Sequence, residues 1–514
     1  MTAETIESVP PRAGRREWLG LAVIALPCLI YSMDLTVLNL ALPRIATALK
    51  PSSAKLLWIV DIYGFCVAGL LVTMGNLGDR IGRRRLLSIG AAAFGAASVA
   101  AASARSTDML IAARALLGIA GATLAPSTLS LIRNMFLDRR QRTFAIGVWT
   151  SSYAIGGAIG PLLGGAMLQY FRWGSVFLLA VPPMALLLLV GPVLLPESRD
   201  ANAKPMDLRS ALLSLAAVLC LIYGLKTGVQ SGLGSVPLLA VAAGVGLAAL
   251  FVRRQSRLDD PLIDVQLLRT RAFGVSLGIY MLATLITFGA YVLLGQYLQL
   301  VLGLSPLASG LWMLPWSASY VLGSFLAPLL ARRFQPASVM TGGLLLAATG
   351  FLAAALLVGQ GVGAIIAAST LYSLGLSPVF TLGIDTIIAA APPQRAGAAS
   401  AISETSSELG GALGIALFGS LATAIYRGAL ARAESSADFG DVPRPAWQVA
   451  RDTLGGANAE AALLPARAGA RLLDTARAAF SDALRVTTAI CAVVAALTAV
   501  LTFLALRRIR ASAT

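Results

Sequence analysis

The segment Gly75-Asn76-Leu77-Gly78-Asp79-Arg80-Ile81-Gly82-Arg83-Arg84-Arg85 separates two apolar stretches of the chain. It brings three glycines, one acid and four arginines into a short connection. Glycines allow tight turns and close approach of helix ends, and the acid is surrounded by arginines with which it can pair. Basic loops containing glycine are also common on the cytoplasmic side of any membrane protein. The segment therefore predicts a tight, charged turn between two membrane spans.

The composition predicts an all-α, polytopic membrane protein. Of its 514 residues, 57% are hydrophobic and only 12% are charged, whereas soluble domains carry about 25% charged residues. The apolar runs have the length of membrane-spanning helices and are too long for the alternating strands of a barrel. The apolar runs predict fourteen spans, over 18–42, 56–78, 86–104, 108–131, 143–168, 174–195, 207–227, 235–252, 273–300, 306–330, 337–358, 362–390, 398–426 and 484–506.

These spans predict two six-span halves around an inserted pair. The N-terminal six-helix bundle covers 1–195, a linker with two inserted spans covers 196–272, and the C-terminal six-helix bundle covers 273–514. Basic residues gather in alternate short loops, so both termini are predicted to lie in the cytoplasm. The net charge of +16 then reflects topology and not a nucleic-acid partner. The long segment 427–485, predicted to be external, indicates amphipathic helices that lie at the membrane surface or cap the outer mouth, with a disordered loop as the alternative.

The residue inventory limits the chemistry. The chain has no histidine, so proton movement near neutral pH falls to carboxylates. Its four cysteines lie in apolar runs, where they behave as small hydrophobic residues, and neither a disulfide nor a metal site is expected. No P-loop motif is present in the sequence. We therefore expect no enzymatic activity and no cofactor.

The fifth predicted span contains a ladder of glycines. Gly156, Gly160 and Gly164 recur every four residues, so they share one helix face and permit close contact with a neighbouring helix. Pro161 removes a backbone hydrogen bond and allows local bending. Ordinary tight packing is the alternative explanation of such a pattern.

Arg114 lies several residues inside the fourth predicted span. A buried arginine in a membrane is costly and normally needs a carboxylate or backbone partner. An ion pair inside the protein is one interpretation. The other is that the side chain extends to the outer surface.

Carboxylates and aromatic residues occur together in the first two spans. One face of the second span carries Trp58, Asp61 and Phe65. On the first span, Tyr31 lies one turn from Asp34. A carboxylate beside an aromatic ring suits a lipophilic cation. Alternatively, Asp61 anchors the outer end of its helix.

Span thirteen carries two carboxylates on one face. Glu404 and Glu408 are four residues apart, and two like charges at that separation in a low dielectric cannot both remain ionised at low cost. Intramembrane carboxylates are candidates for function, although Glu404 could also reach the cytoplasmic interface. Asp385, near the inner end of the twelfth span, is a weaker candidate for the same role.

Several strings in the chain resemble signatures of the major facilitator superfamily. The opening segment resembles G-x-L-x-D-R-x-G-R-[KR], and 110–118 resembles L-I-x-x-R-x-x-x-G, in which the arginine is linked to proton coupling. The glycine ladder resembles the G-x-x-x-G-P-x-x-G-G signature of antiporters, and 34–43 resembles the D-x-T-x-x-N-x-A-L-P signature of fourteen-span drug:proton antiporters. The resemblance implies that the opening motif is a conformational latch, formed by Gly75, Gly78, Asp79, Arg80, Gly82 and Arg83.

As a whole, the chain is similar to the QacA-like quaternary-ammonium and multidrug efflux pumps. The resemblance implies proton or cation handling by the carboxylates at Asp34, Asp61, Glu404 and Glu408. The chain departs from the family pattern in span thirteen, where some relatives carry two adjacent acids. It also departs after span ten, where Ala331-Arg332-Arg333-Phe334 matches the opening motif only in part.

The resemblance implies a proton-driven exporter of lipophilic cations in the plasma membrane of a bacterium. A monomer is expected, with protons and cationic small molecules as partners. The alternatives are a dedicated exporter of one antibiotic or amphiphilic metabolite, and a non-transporting receptor or scaffold. Several intramembrane acids argue against the scaffold, since it has no use for their cost.

Overall fold

In the computed structural model, the described residues are 12–49, 51, 53–199, 207–231, 234–258, 261, 268, 270–392, 396–434 and 442–506. Within these ranges the secondary structure is helical, and no strand occurs among them. Of the predicted linker 196–272, residues 200–206, 232–233, 259–260, 262–267 and 269 lie outside the described part.

The helices follow the apolar runs closely. In the first part of the chain they are α1 (Arg15–Leu49), α2 (Ser53–Ile81), α3 (Arg83–Ala102), α4 (Thr107–Gly121), α5 (Leu124–Met135), α6 (Arg139–Tyr170), α7 (Ser175–Leu178) and α8 (Val181–Leu194). The inserted pair is α9 (Leu208–Ser231) and α10 (Ser235–Gln255). The remainder comprises α11 (Arg271–Gln296) with a π-helical turn over Tyr297–Val301, α12 (Pro306–Trp312), α13 (Leu314–Leu330), α14 (Pro336–Leu357), α15 (Val362–Ala390), α16 (Ala396–Glu434), α17 (Arg444–Asp452), α18 (Leu454–Ala461) and α19 (Ala466–Leu506).

Some predicted spans consist of two consecutive helices. The sixth span divides into α7 and α8, and the tenth into α12 and α13. Proline lies in the first turn of both α8 and α13. Because proline lacks the backbone N–H and fixes φ, a helix readily restarts there.

Twelve helical stretches in the described part of the chain are long and apolar enough to cross a membrane. The two predicted spans that are not among them fall in α6 and α9. Helix α6 is long but rich in glycine, serine and threonine, and the apolar stretch of α9, Arg209–Leu225, is shorter than the others. The count of fourteen spans therefore stays a prediction.

The connection between α2 and α3 is tighter than the sequence predicts. Helix α2 continues to Ile81 and α3 begins at Arg83, so Gly82 alone makes the turn. Its φ of 107° lies in a region that glycine adopts without steric cost. Of the three glycines of the segment, Gly75 and Gly78 lie inside α2, within the predicted span 56–78, and only Gly82 lies in the turn.

The described part of the segment 427–485, which the sequence predicts to be external, is helical. Helices α17 and α18 lie between the end of α16 and Ala466, where α19 begins well before the predicted span. The hydroxyl of Tyr426 donates to the carbonyl oxygen of Ala450 at 2.8 Å, and Trp447 is buried. These contacts hold α17 against the end of α16. Residues 435–441 lie outside the described part.

The helix packing repeats between the two parts of the chain. Helix α1 packs on α6, α2 on α4, and α3 on both α4 and α8. In the same way, α11 packs on α16, α13 on α15, and α14 on both α15 and α19. Two main seams join these groups, one between α6 and α13 and the other between α2 and α16, and α5 also packs on α16 and α6 on α15. Helix α9 packs on α10 and also contacts α2 and α16, so the inserted pair lies beside the second seam.

Candidate functional site

Arg114 forms a buried ion pair with Asp34. Its Nη1 donates to Oδ2 of Asp34 at 2.5 Å, and its Nε donates to the carbonyl oxygen of Ile59 at 3.2 Å. The guanidinium carbon lies 4.6 Å from the centre of the Tyr63 ring. The side chain of Arg114 is 0% exposed and that of Asp34 is 11% exposed. Arg114 therefore binds a carboxylate inside the protein and does not extend to the outer surface.

Glu408 accepts a hydrogen bond that joins the second part of the chain (α11–α19) to the first part (α1–α8). The Tyr31 hydroxyl of α1 donates to Oε1 of Glu408 in α16 at 2.6 Å. The sequence associates Tyr31 with Asp34, one turn away on the same helix, whereas the structure directs its hydroxyl to a different carboxylate. Helix α1 thus carries a contact to Arg114 and a contact to Glu408 within one turn.

Glu404 lies one turn before Glu408 among tyrosines from both parts of the chain. Its Oε1 atom is buried and has no hydrogen-bond partner among the described residues. The carboxyl group is close enough to interact electrostatically with Tyr153 of α6, Tyr280 of α11 and Tyr320 of α13. A buried acceptor without a donor is unusual, so this oxygen is available to a proton or a cation.

Aromatic rings extend from these carboxylates into both parts of the chain. In the first part the rings in contact are Tyr63–Tyr31 at 5.8 Å, Tyr31–Tyr153 at 5.9 Å and Tyr153–Trp149 at 4.8 Å. In the second part they are Tyr280–Phe380 at 5.4 Å, Phe380–Tyr320 at 5.9 Å, Tyr320–Trp316 at 6.1 Å and Trp316–Tyr291 at 5.3 Å. Of these rings, the sequence singled out Tyr31 alone. The available signal was an aromatic residue within an otherwise aliphatic span.

The aromatic residues predicted on α2 lie elsewhere. The rings of Trp58 and Phe65 meet at 6.1 Å and are perpendicular, and Trp58 is 44% exposed. Phe65 packs with Val218 and Ile222 of α9, on the side of α2 that faces the inserted pair. The side chain of Asp61 lies outside the described part of the structure, and its role stays a prediction.

The turn after α2 is held by residues that follow α8. Asp79 pairs with the buried Arg83, while the backbone N–H of Arg83 donates to the carbonyl oxygen of Ser198 at 2.9 Å. Arg84 pairs with Glu197, whose carboxyl group also occupies the space that a Cβ at Gly82 would need.

Two further residues of the predicted latch lie just before this turn. Arg80 donates from Nε to Asn76 at 2.7 Å, and Gly78 makes room for the side chain of Arg83. The described contacts of the motif are therefore within the first part of the chain. Its role as a latch stays a prediction.

The two parts of the chain also meet at the end of the bundle where α2 joins α3, which we call the basic end. Here Arg133 of α5 donates to the carbonyl oxygens of Ile388 and Ala391, at 2.6 Å each. Ile388 lies in the last turn of α15 and Ala391 directly follows that helix, where the helix dipole favours a cation.

Asp385 also joins the two parts of the chain at the basic end. Its carboxylate accepts from Nε of Arg142 at 3.2 Å and from the hydroxyl of Thr143 at 2.9 Å, both in α6. The side chain is 7% exposed. The sequence grouped Asp385 with the proton and substrate carboxylates, but the structure engages it in a contact between α15 and α6 at the basic end.

The glycine ladder forms the contact between α6 and α1. A Cβ atom at Gly156 would overlap the backbone of Leu29, and one at Gly164 would press on Val37. At Gly160 it would overlap Thr36. The side chain of Pro161 lies outside the described residues.

The same packing recurs in the second part of the chain. A Cβ at Gly410 or Gly414 of α16 would overlap the backbone of Met281 or Leu285 of α11. Close packing thus accounts for glycines in both places, and the implication of antiport rests on the resemblance alone.

Two alanine substitutions in α6 separate the effect of helix–helix packing from the effect of intrinsic helix propensity. Gly156→Ala is expected to destabilise the protein by roughly 1–3 kcal/mol, because the new methyl group forces the backbones of α1 and α6 apart. Gly165→Ala is the matched control, since nothing lies within 4 Å of its Cβ and alanine favours helix by up to about 1 kcal/mol. Thermal unfolding in detergent should show midpoints displaced in opposite directions or, at the least, a loss confined to Gly156→Ala. Equal losses would contradict the assigned contact.

Comparison with known proteins decides the family. The model of the Major Facilitator Superfamily matches residues 24–415. The chain belongs to this superfamily. Its fold agrees with the crystal structure of the human organic anion transporter MFSD10, with a TM-score of 0.61 at 15% identity over 95% of this chain and 99% of that one. At this identity the likeness concerns the fold alone.

Two curated superfamily members are similar over most of their length. The multidrug efflux pump LfrA of Mycolicibacterium smegmatis is 44% identical over 98% of this chain and 99% of its own. The methyl viologen resistance protein SmvA of Salmonella typhimurium is 36% identical over 90% of this chain and 93% of its own. The chain is therefore a membrane-embedded transporter with multidrug efflux relatives, and not an enzyme.

Proposed function

We propose that this chain is a proton-coupled exporter of lipophilic cations of the fourteen-span drug:proton antiporter branch. The observation that carries the proposal is the buried Oε1 of Glu404, which has no hydrogen-bond partner among the described residues. The names of the relatives support it. LfrA is a multidrug efflux pump, and methyl viologen, to which SmvA confers resistance, is an aromatic dication.

The site suits competition between a proton and an organic cation. Aromatic faces attract cations, and an ionised carboxylate among them adds a direct charge interaction. Protonation of Glu404 or Glu408 removes that interaction and releases the cation. The pair Asp34–Arg114 lies one turn from the Tyr31–Glu408 contact on α1, so a change at one pair can move the helix that holds the other.

The number of protons decides which gradient drives export. One proton exchanged for one monovalent cation moves no net charge, so only the pH difference contributes. A second proton lets the membrane potential add about 2.3 kcal/mol per 100 mV. Glu404 and Glu408 provide two places for protons. We propose that transport needs no cofactor and that the transporting unit is a monomer.

We place the basic end in the cytoplasm of a bacterium, with both termini on that side. The arginines of the α2–α3 turn and the basic loops agree with this orientation. Helices α6 and α9 then complete fourteen spans, and the Asp385 contact closes the cytoplasmic side.

Efflux of dyes from cells tests the function directly. Cells that express the chain are expected to extrude ethidium and methyl viologen, and a protonophore should stop both because it removes the driving force. Fluorescence of preloaded ethidium and survival on methyl viologen are the measurements.

The control is the same strain without the chain. Export that continues after collapse of the proton gradient would contradict antiport. Export of one compound alone from a panel of unrelated cations would favour a dedicated exporter.

A further inference from the structure

A cavity of about 320 Å³ lies between α13, α14 and α15 near the basic end. Its lining is mostly apolar and includes Leu326, Leu330, Phe334, Val339, Leu346 and Leu374. Phe334 is 58% exposed, and Leu326 and Leu330 are more than a third exposed. The groove therefore opens at the lateral surface of the helix bundle, and Glu404 is not among its lining residues.

The rim of this groove is cationic. Arg332 and Arg333 follow the last turn of α13, and both side chains are exposed. Neither has a carboxylate partner within the described ranges. Helix α14 begins beside them at Pro336, and the partial positive charge of its N-terminus adds to the same rim.

We propose that the groove holds an acyl chain of an anionic phospholipid whose phosphate binds Arg332 and Arg333. The apolar lining suits a hydrocarbon chain, and basic residues at the membrane surface attract anionic headgroups. The same arginines repel the cationic substrates of the proposed function, so the groove is not a second drug site. With the basic end in the cytoplasm, the lipid comes from the inner leaflet.

Gly342 gives a sharp test of the acyl-chain position. It lines the groove, and nothing lies within 4 Å of a Cβ built there, so the side chain of Gly342→Phe starts from an open position and occupies the groove. Gly246→Phe on α10 is the matched control, since a Cβ there also meets nothing. Arg332→Ala/Arg333→Ala removes the cationic rim, and Arg139→Ala/Arg140→Ala removes another exposed arginine pair at the basic end.

The measurement is phosphatidylglycerol binding to the purified full chain in detergent, read by native mass spectrometry and by the thermal unfolding midpoint. Phosphatidylglycerol is expected to bind and to raise the midpoint of the wild type and of both controls. Loss of both arginines should weaken binding by about thirtyfold, and Gly342→Phe should remove the lipid-dependent rise while leaving the lipid-free midpoint unchanged.

Three outcomes would overturn the proposal. Equal stabilisation by phosphatidylcholine would exclude the charge contact, and equal stabilisation by glycerol 3-phosphate would exclude the acyl chain. Undiminished phosphatidylglycerol binding by the Gly342→Phe and double-arginine variants would place the lipid elsewhere. Failure of dye efflux would leave this result unaffected, because lipid binding is measured on the purified protein.

Discussion

Glu404→Gln is expected to leave the protein folded and to reduce proton-driven efflux to the level of cells that lack the chain. The Oε1 atom of Glu404 has no hydrogen-bond partner within the described part of the structure, so the substitution breaks no contact there. It does remove the group that can be either charged or protonated. Dye efflux and the amount of monodisperse protein after purification are the two measurements.

Binding to the purified protein separates the possible causes of such a loss. Wild-type protein should bind ethidium less tightly as the pH falls, because protons compete for the carboxylates. The Glu404→Gln variant should bind ethidium weakly, with little dependence on pH. Weak binding at every pH together with intact folding would assign the defect to the charge and not to the helix.

A carboxylate on the same helix supplies the control. Glu434 ends α16 and pairs with Arg451 at 3.0 Å, where both side chains are partly exposed. Surface pairs contribute little to stability, so Glu434→Gln should retain efflux. Proton-driven efflux at the wild-type rate by Glu404→Gln would remove the central residue of the proposed function.

The helical pattern could be predicted from the sequence because hydropathy is a local property. The turn at Gly82 and the need of Arg114 for a partner were likewise visible in short segments. The partner itself was not, since a single sequence gives the faces of helices but not their neighbours. Tyr31 and Glu408 are 377 residues apart in the sequence, and only the tertiary fold brings their side chains together.

Asp385 shows the same limit in the opposite direction. Its position near a helix end made it a weaker candidate in the sequence, whereas in the structure Arg142 and Thr143 of α6 bind its carboxylate. Burial of a residue near a helix end depends on the neighbouring helix. For that reason the closure at the basic end could not be predicted from the twelfth span alone.

Disruption of the Asp34–Arg114 pair is expected to have the largest effect on stability. Asp34→Asn leaves a guanidinium buried without its counter-charge, and Arg114→Met leaves a carboxylate in the same position. Removal of one partner from a buried pair costs about 3–5 kcal/mol. Both single variants should therefore unfold at lower temperature and yield less folded protein in detergent.

The double variant Asp34→Asn/Arg114→Met separates stability from coupling. Replacement of both partners removes the uncompensated charge, so most of the lost stability should return. If proton transfer depends on the Asp34–Arg114 pair, efflux should not return, because the double variant has neither ionisable group. Asp108→Asn is the control on α4, because its pair with Lys55 is largely exposed and contributes little.

The outcome decides between two roles of the pair. Recovery of both stability and efflux in the double variant would make Arg114 a structural residue and would contradict the coupling role. A loss of stability in the double variant equal to the sum of the losses in the two single variants would show that the two residues are not energetically coupled. Recovery of stability without efflux would place proton coupling at the buried pair, one turn of α1 away from the tyrosine that binds Glu408.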